Sequence, residues 1–248
     1  MAKRKIALLG GSGLEKFNIS LKSNSLNPNT PYGKCSSSIL HSQNDYFEIF
    51  YVSRHGFKHQ YAPQEVNNRA HIWAFKDIGC DFILATSACG SLREDIKPGD
   101  LIFPNQLIDF TKNRKSTFFE SFADGMQHTS FADPFDRSIV NELKQLADNL
   151  NIKSHTNKTV LTIEGPRFSS RAESHLFRLW GADIINMSTA PEVALANEIN
   201  IPYALIAMST DYDSWRDEGE AVSQDAVFKI FKQNAQNVTH LIEAFIER

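Results

Sequence analysis

The residues best equipped for chemistry in this sequence are two acids two residues apart, Asp211 and Asp213, and three short stretches rich in glycine and small donors. Asp211-Tyr212-Asp213 follows an apolar run ending at Met208, with Ser209-Thr210 as the link. Carboxylates so spaced can grip a metal, relay a proton, or read a heterocycle with two polar edges; as acids on a solvated loop they do none of these. A metal is the weaker reading, because no other cluster has evident ligand spacing. A purine fits the pair better. Its N7 accepts a hydrogen bond and its 6-amino group donates one, so a protonated acid serves the first and an ionised acid the second.

The three other stretches share a taste for anions. Gly10-Gly11-Ser12-Gly13 directly follows the opening apolar run. Glycine turns let backbone N–H groups converge on an anion, and a serine hydroxyl adds a donor. The spacing lacks the full GxGxxG pattern, so a dinucleotide fingerprint is a weak reading and a plain tight turn a fair one. Ser53-Arg54-His55-Gly56 leads into Lys58-His59 and offers a planar guanidinium fork beside an imidazole. Thr86-Ser87-Ala88-Cys89-Gly90-Ser91 combines a hydroxyl with small side chains that permit close backbone approach. Alone, the first reads also as a tight turn and the third as crowded packing, and a single Arg-His pair reads better as a solvated charged loop. Together, at three strand ends, they describe an anion site, since α/β sheets bind ligands beyond their strand termini.

Those strand ends require strands, and the apolar runs supply them at Lys5–Leu9, Phe47–Val52, Phe82–Thr86, Asp100–Phe103, Thr159–Ile163, Ile184–Met187 and Tyr203–Met208. Between them, Val66, Ala70, Trp73 and Phe75 predict a helix that stops near Gly79. Ile139, Leu143, Leu146 and Leu150 predict a second, opening after Pro134. Val227, Phe231, Ala235, Val238, Leu241, Ile242 and Phe245 predict a long terminal helix with Ser223 as its N-cap. The alternation implies an α/β layer fold, a central mixed sheet flanked by helices, with residues 1–248 as a single domain. The segment Thr111–Asp133 lacks period and carries scattered aromatics (Phe118, Phe119, Phe122, Phe131) and His128. So long an irregular stretch suggests a functional or interfacial role.

Composition narrows the classes. The chain has 248 residues, enough for a substantial core, and an apolar fraction of 42% with 22% charged residues is ordinary for a globular protein. A net charge of −3 gives no footprint for nucleic acid. No apolar run approaches the roughly 20 residues of a membrane span. The basic start, Met1-Ala2-Lys3-Arg4-Lys5, precedes a run too short for a signal peptide and better suited to a buried first strand. Cys35, Cys80 and Cys89 are widely spaced, form no CxxC pair and read as buried thiols in a reducing cytoplasm.

With these stretches in view, the chain resembles the methylthioadenosine phosphorylase branch of the purine nucleoside phosphorylases. The resemblance runs from Lys5 to the terminal helix. It is carried by Ser53–Gly56, Thr86–Asp95 with Pro98-Gly99-Asp100, Thr162–Glu173 (TIEGPRFSSRAE), Trp180–Ser188 (WGADIINMS) and Ser209–Trp215 (STDYDSW). It implies a nucleoside phosphorylase fold and a pentosyltransferase that uses inorganic phosphate as co-substrate, with no metal or organic cofactor. It further implies that Ser12, Arg54, His55, Ser87, the backbone at Ala88 and Ser188 hold phosphate. Met187 would lie along the ribose, Phe168 on the base face, and Asp211 and Asp213 at N7 and the 6-amino group. His128 would reach the 5′-substituent pocket of a neighbouring subunit in a homotrimer, a pocket also lined by Gln224, Val227 and Phe228. Ser12 and Ser188 stand where animal-type members carry threonine, which keeps the hydroxyl. Gln224 in place of valine, Phe228 in place of leucine and a chain ending at Arg248 leave room for adenosine or other 5′-modified adenine nucleosides.

The activity so implied is phosphorolysis of 5′-methylthioadenosine to adenine and 5-methylthioribose 1-phosphate, with Asp211 as the acid at N7. Rival readings are a broader phosphorylase acting on inosine or guanosine, a nucleosidase that uses water, and a purine-binding protein without turnover. A hydrolase relay of Ser12, His55 and Asp211 is the weakest, as no nucleophile-elbow pattern is present.

Overall fold

The computed structural model describes residues 3–14, 24–123, 125–216 and 224–247, with side chains omitted for 224–229. Its first strand, β1 (Arg4–Gly10), shows how the sheet is built. Ile6 and Leu8 turn to one face while Ala7 and Leu9 turn to the other, and all four are buried. A strand buried on both faces needs helices on both faces.

The strands β2 (Asn24–Leu26), β3 (Ile39–Gln43), β4 (Phe47–Ser53) and β5 (Phe82–Ser91) follow, and then β6 (Leu101–Phe103) and β7 (Gln106–Phe110). The remainder are β8 (Ser154–Thr156), β9 (Thr159–Ile163), β10 (Ile184–Asn186) and β11 (Tyr203–Tyr212). All the described strands join one mixed sheet, in the order β2-β3-β4-β1-β5-β10-β9-β7, with β11 on β5 and β6, and β6 on β8. The helices are α1 (Asn68–Ile78), α2 (Arg137–Asn149), α3 (Arg171–Leu179), α4 (Thr189–Glu198) and α5 (Gln224–Ile246). One core lies between the sheet and α2 and α5, where Leu143, Leu241 and Phe245 meet Leu8, Phe82 and Ile206. A second lies under α1 and α4, where Phe75 and Val193 meet Leu9, Ile83 and Leu205, and a third packs Phe177 of α3 with Leu161 and Ile185.

The topology places the site. β4, β1, β5 and β11 run parallel, so their C-terminal ends share one edge. β5 pairs with β1 only over Phe82–Ala85, then turns antiparallel to β10 at Gly90 and Ser91. Such a change of neighbour opens a crevice beyond the strand ends.

All seven strands expected from the apolar runs are present, as are the helices ending at Gly79 and opening after Pro134. Two strand ends are corrected. β5 continues through Ser91 and β11 through Tyr212, so Ser87, Ala88 and Asp211 stand on strands and not on the loops beyond them. The two strands pair along this whole extension, with a register shift between Ser209 and Asp211, and this pairing keeps small and polar residues extended. α3 opens at Arg171, capped by Ser170 with Glu173 reaching back. α4 carried no helical period because it is buried nearly all round, from Thr189 to Val193 and again at Leu195 and Ala196. The proposed N-cap Ser223 lies outside the described residues. No described helix is long and apolar enough to cross a membrane.

Candidate active site

A cavity of about 400 Å³ opens at that crevice. Its lining brings together Ser12, Arg54, His55, Ser87, Ala88, Ser188, Phe168, Met187, Asp211 and Asp213. At one end the donors gather. Ser12 comes from the turn after β1, Arg54 and His55 from the end of β4, Ser87 and Ala88 from the middle of β5, and Ser188 from the start of α4. The Ser87 and Ser188 hydroxyls lie 3.0 Å apart. α4 begins one residue later, and the amino end of a helix favours an anion.

Arg54 is almost fully buried, and Gly11 above it leaves no room for a side chain: a Cβ there would stand 2.6 Å from Nη1. Burial alone would lower the Arg54 pKa, but the facing Glu192 carboxylate outweighs it and raises the value. His55 stacks on His59 with ring centres 4.6 Å apart, and its Nδ1 lies 2.9 Å from the Tyr61 carbonyl. In a Ser12–His55–Asp211 relay that nitrogen would face an acid. It faces a carbonyl instead.

The opposite end holds the two acids. Asp213 is buried and Asp211 half-buried, with Gly90 between them. Burial raises the Asp211 pKa, the Thr210 hydroxyl donating to Oδ2 at 2.7 Å opposes this, and the charge of Asp213 adds to it. Burial raises Asp213 too. There the Ser174 and Ser169 hydroxyls, close by but outside hydrogen-bonding geometry, and the Ser214 amide all act to lower it, while Glu173 raises it. On balance burial prevails, and the Asp213 pKa, like that of Asp211, is raised. Asp213 Oδ2 is buried with no partner among the described residues, an acceptor awaiting a donor. Met187 and Ile163 also line the cavity, as does Phe168, which is 76% exposed.

His128 is not in its own chain's cavity. It stands edge-on to Phe122 in a separate surface hollow with Thr117, Phe131 and Glu198. Gln224, Val227 and Phe228 have no described side chains, so their expected places in the 5′ pocket lie outside the described residues. Among the described residues no group of His, Cys, Asp or Glu is arranged to hold a metal ion.

Several residues lining the cavity or standing behind it escaped the sequence reading. Asn186 donates to Ser87 Oγ at 3.2 Å and to Thr189 Oγ1 at 2.6 Å, and accepts from Thr162 Oγ1 at 2.8 Å. Phe231 reads in sequence as a core position of the terminal helix; it reaches the cavity beside Ser12 and packs on Gly13. Glu192 was silent because a glutamate inside an apolar helix carries no local sign of its partner. Asn186 sits inside the stretch WGADIINMS, which is the one signal that could have singled it out.

A cavity with an anion end and a two-carboxyl end suits a reaction that joins phosphate to something attached to a heterocycle. The sequence pattern of the family described as the phosphorylase superfamily matches residues 5–247. The chain belongs to the phosphorylase superfamily. Within it, S-methyl-5′-thioadenosine phosphorylase of Xenopus tropicalis is 47% identical over 242 residues, covering 96% of this chain and 86% of that protein. The crystal structure of a methylthioadenosine phosphorylase from an antarctic soil metagenomic library superposes with a TM-score of 0.90 at 40% identity, over 98% of this chain and 85% of that one. The Schistosoma mansoni methylthioadenosine phosphorylase in complex with adenine gives a TM-score of 0.90 at 37% identity, over 97% and 90% of the two chains. The superfamily fold thus extends across nearly all of this chain.

Proposed function

We propose that this chain catalyses phosphorolysis of 5′-methylthioadenosine, yielding adenine and 5-methylthioribose 1-phosphate, and accepts adenosine or other 5′-modified adenine nucleosides as well. The observation that carries the reading is one cavity with Arg54, Ser12, Ser87 and Ser188 at one end and Asp211 with Asp213 at the other. Superfamily relatives named for this activity, one with adenine bound, support it.

Phosphate enters the donor end and is held by Ser12, Arg54, His55, Ser87, the Ala88 backbone and Ser188. Met187 lies along the ribose and Phe168 covers the base. A phosphate oxygen forms a bond to C1′ as the C1′–N9 bond breaks, and the bonding pair leaves with the purine. The ribosyl group passes through an oxocarbenium-like state whose positive charge the adjacent dianion favours. Asp211, whose pKa is raised by burial and by the charge of Asp213, gives a proton to N7, so adenine departs neutral. Asp213 accepts from the 6-amino group. Fixing the nucleophile opposite the leaving base removes much of the entropic barrier to a two-substrate step. Inorganic phosphate is a co-substrate, and no organic cofactor or metal takes part.

The chain acts as one catalytic domain in a cytoplasmic homotrimer, serving purine and methionine salvage. In it His128, outside its own cavity, contacts the 5′ substituent in the neighbouring subunit. The exposed Phe122, Met126 and Phe131 around it are suited to burial against another chain.

Methylthioadenosine, adenosine and inosine, each incubated with and without phosphate and assayed for free base, test the reading. Phosphate-dependent adenine release is expected. Release without phosphate would select a nucleosidase, inosine as best substrate a broader phosphorylase, and no release a binding protein.

A further inference from the structure

Arginine carries five N–H donors on a rigid fork, and the direction of that fork decides which oxygens it meets. The Arg54 fork is held from behind. Nε and Nη2 donate to the two oxygens of Glu192, Nη2 at 2.9 Å, and Nη1 donates to the Thr86 carbonyl at 2.7 Å. One N–H remains on each terminal nitrogen, a pair able to meet two oxygens of one phosphate. Glu192 is fully buried in the first turn of α4, four residues beyond Ser188. Its Oε2 also accepts from the Tyr203 hydroxyl at 2.7 Å. Tyr203 is 1% exposed and opens β11, the strand whose other end carries Asp211.

A buried ion pair is costly to desolvate and is often matched in stability by apolar side chains of similar size. Its presence directly against an anion cavity points to a role in direction and charge. We infer that Glu192 and Tyr203 are positioning residues for phosphate. Glu192 turns the Arg54 fork so that its two spare N–H groups face the pocket, and Tyr203 fixes the Glu192 carboxylate through its hydroxyl. The carboxylate also offsets the Arg54 charge, so phosphate is recognised by directed hydrogen bonds more than by net charge. Neither residue lines the cavity; both act through Arg54. The inference rests on the phosphorolysis reading for its consequence in turnover.

Tyr203→Phe removes one hydroxyl and keeps the ring that packs beside Phe135, so the fold should persist. Binding of inorganic phosphate by calorimetry, the KM for phosphate and for nucleoside, and Tm are measured for it and for Glu192→Gln. Tyr203→Phe should weaken phosphate binding and raise the phosphate KM about 3- to 10-fold, the range of one lost hydrogen bond. The nucleoside KM should stay within about twofold. Glu192→Gln, if it folds, should show the larger effect on the same parameter, with Glu192→Asp recovering part of it. Unchanged phosphate affinity in Tyr203→Phe, or phosphate and nucleoside KM rising together, would overturn the inference and leave a purely structural network. Adenine release by the wild-type protein without phosphate would instead defeat the phosphorolysis reading, and the calorimetric comparison would still decide the positioning claim.

Discussion

Asp211 and Asp213 are set against Gly90 so tightly that a methyl group on that glycine would stand 3.2 Å from Oδ1 of the first and 3.2 Å from Cβ of the second. The same methyl would lie 3.2 Å from Cγ2 of Ile185. Gly90→Ala should therefore fold, with the acids displaced by a few tenths of an ångström. A misplacement on this scale is felt in catalysis, and we expect kcat/KM to fall about 10-fold or more. Adenine affinity by calorimetry should fall with it, while phosphate affinity is unchanged.

The raised pKa of Asp211 has two consequences, and both run the same way with pH. In its proposed role as the acid at N7 it works protonated, so kcat/KM should fall as pH rises through its elevated value. A carboxyl whose pKa is higher folded than unfolded stabilises the fold at low pH, and that contribution is lost as pH rises through the folded value. Asp211→Asn should remove both effects. Turnover should drop about 10²- to 10⁴-fold, and Tm at pH 8 should equal or exceed that of the wild type. Calorimetry across pH alongside the rate profile checks the pair of outcomes.

Asp213 should govern which purine is taken. A 6-oxo group would set an acceptor against its carboxylate, and sites built for one donor reject its analogues by factors on the order of 10⁴. Asp213→Asn should narrow the ratio of kcat/KM for adenosine over inosine by about 10-fold or more. An unchanged ratio would remove Asp213 from its assigned place.

Much of this was legible in the sequence because the relevant residues announce themselves locally. Gly10-Gly11-Ser12-Gly13 and Ser53-Arg54-His55-Gly56 follow apolar runs that do form β1 and β4, and both stretches reach the cavity. What stayed hidden depends on distance along the chain. Glu192 meets Arg54 across 138 positions, and nothing near either residue states that pairing. The extension of β11 to Tyr212 was missed for a related reason. Ser209-Thr210-Asp211 has little strand propensity of its own, and pairing with Cys89–Ser91 keeps it extended. Short edge strands such as β2 and β8 carry too few residues for any period to show.

Gly11 offers a test of the anion end that leaves the base end alone. A side chain there would run into the Thr86 carbonyl and the Arg54 guanidinium. Gly11→Ala should raise the phosphate KM by about 10-fold or more, in line with a lost charge-assisted hydrogen bond. The adenine dissociation constant should hold.

His128 tests the trimer. Since it lies outside its own cavity, His128→Ala should weaken methylthioadenosine more than adenosine and leave the phosphate KM alone. Light scattering should give three chains per particle. A fully active single chain would contradict the shared site.

The central claim is that phosphate, not water, attacks C1′. It is tested most directly by phosphorus NMR of a reaction holding methylthioadenosine and inorganic phosphate in equal amounts. A new sugar-phosphate signal should grow in step with released adenine while the inorganic phosphate signal falls equally. Adenine appearing with the inorganic phosphate signal unchanged would contradict the account.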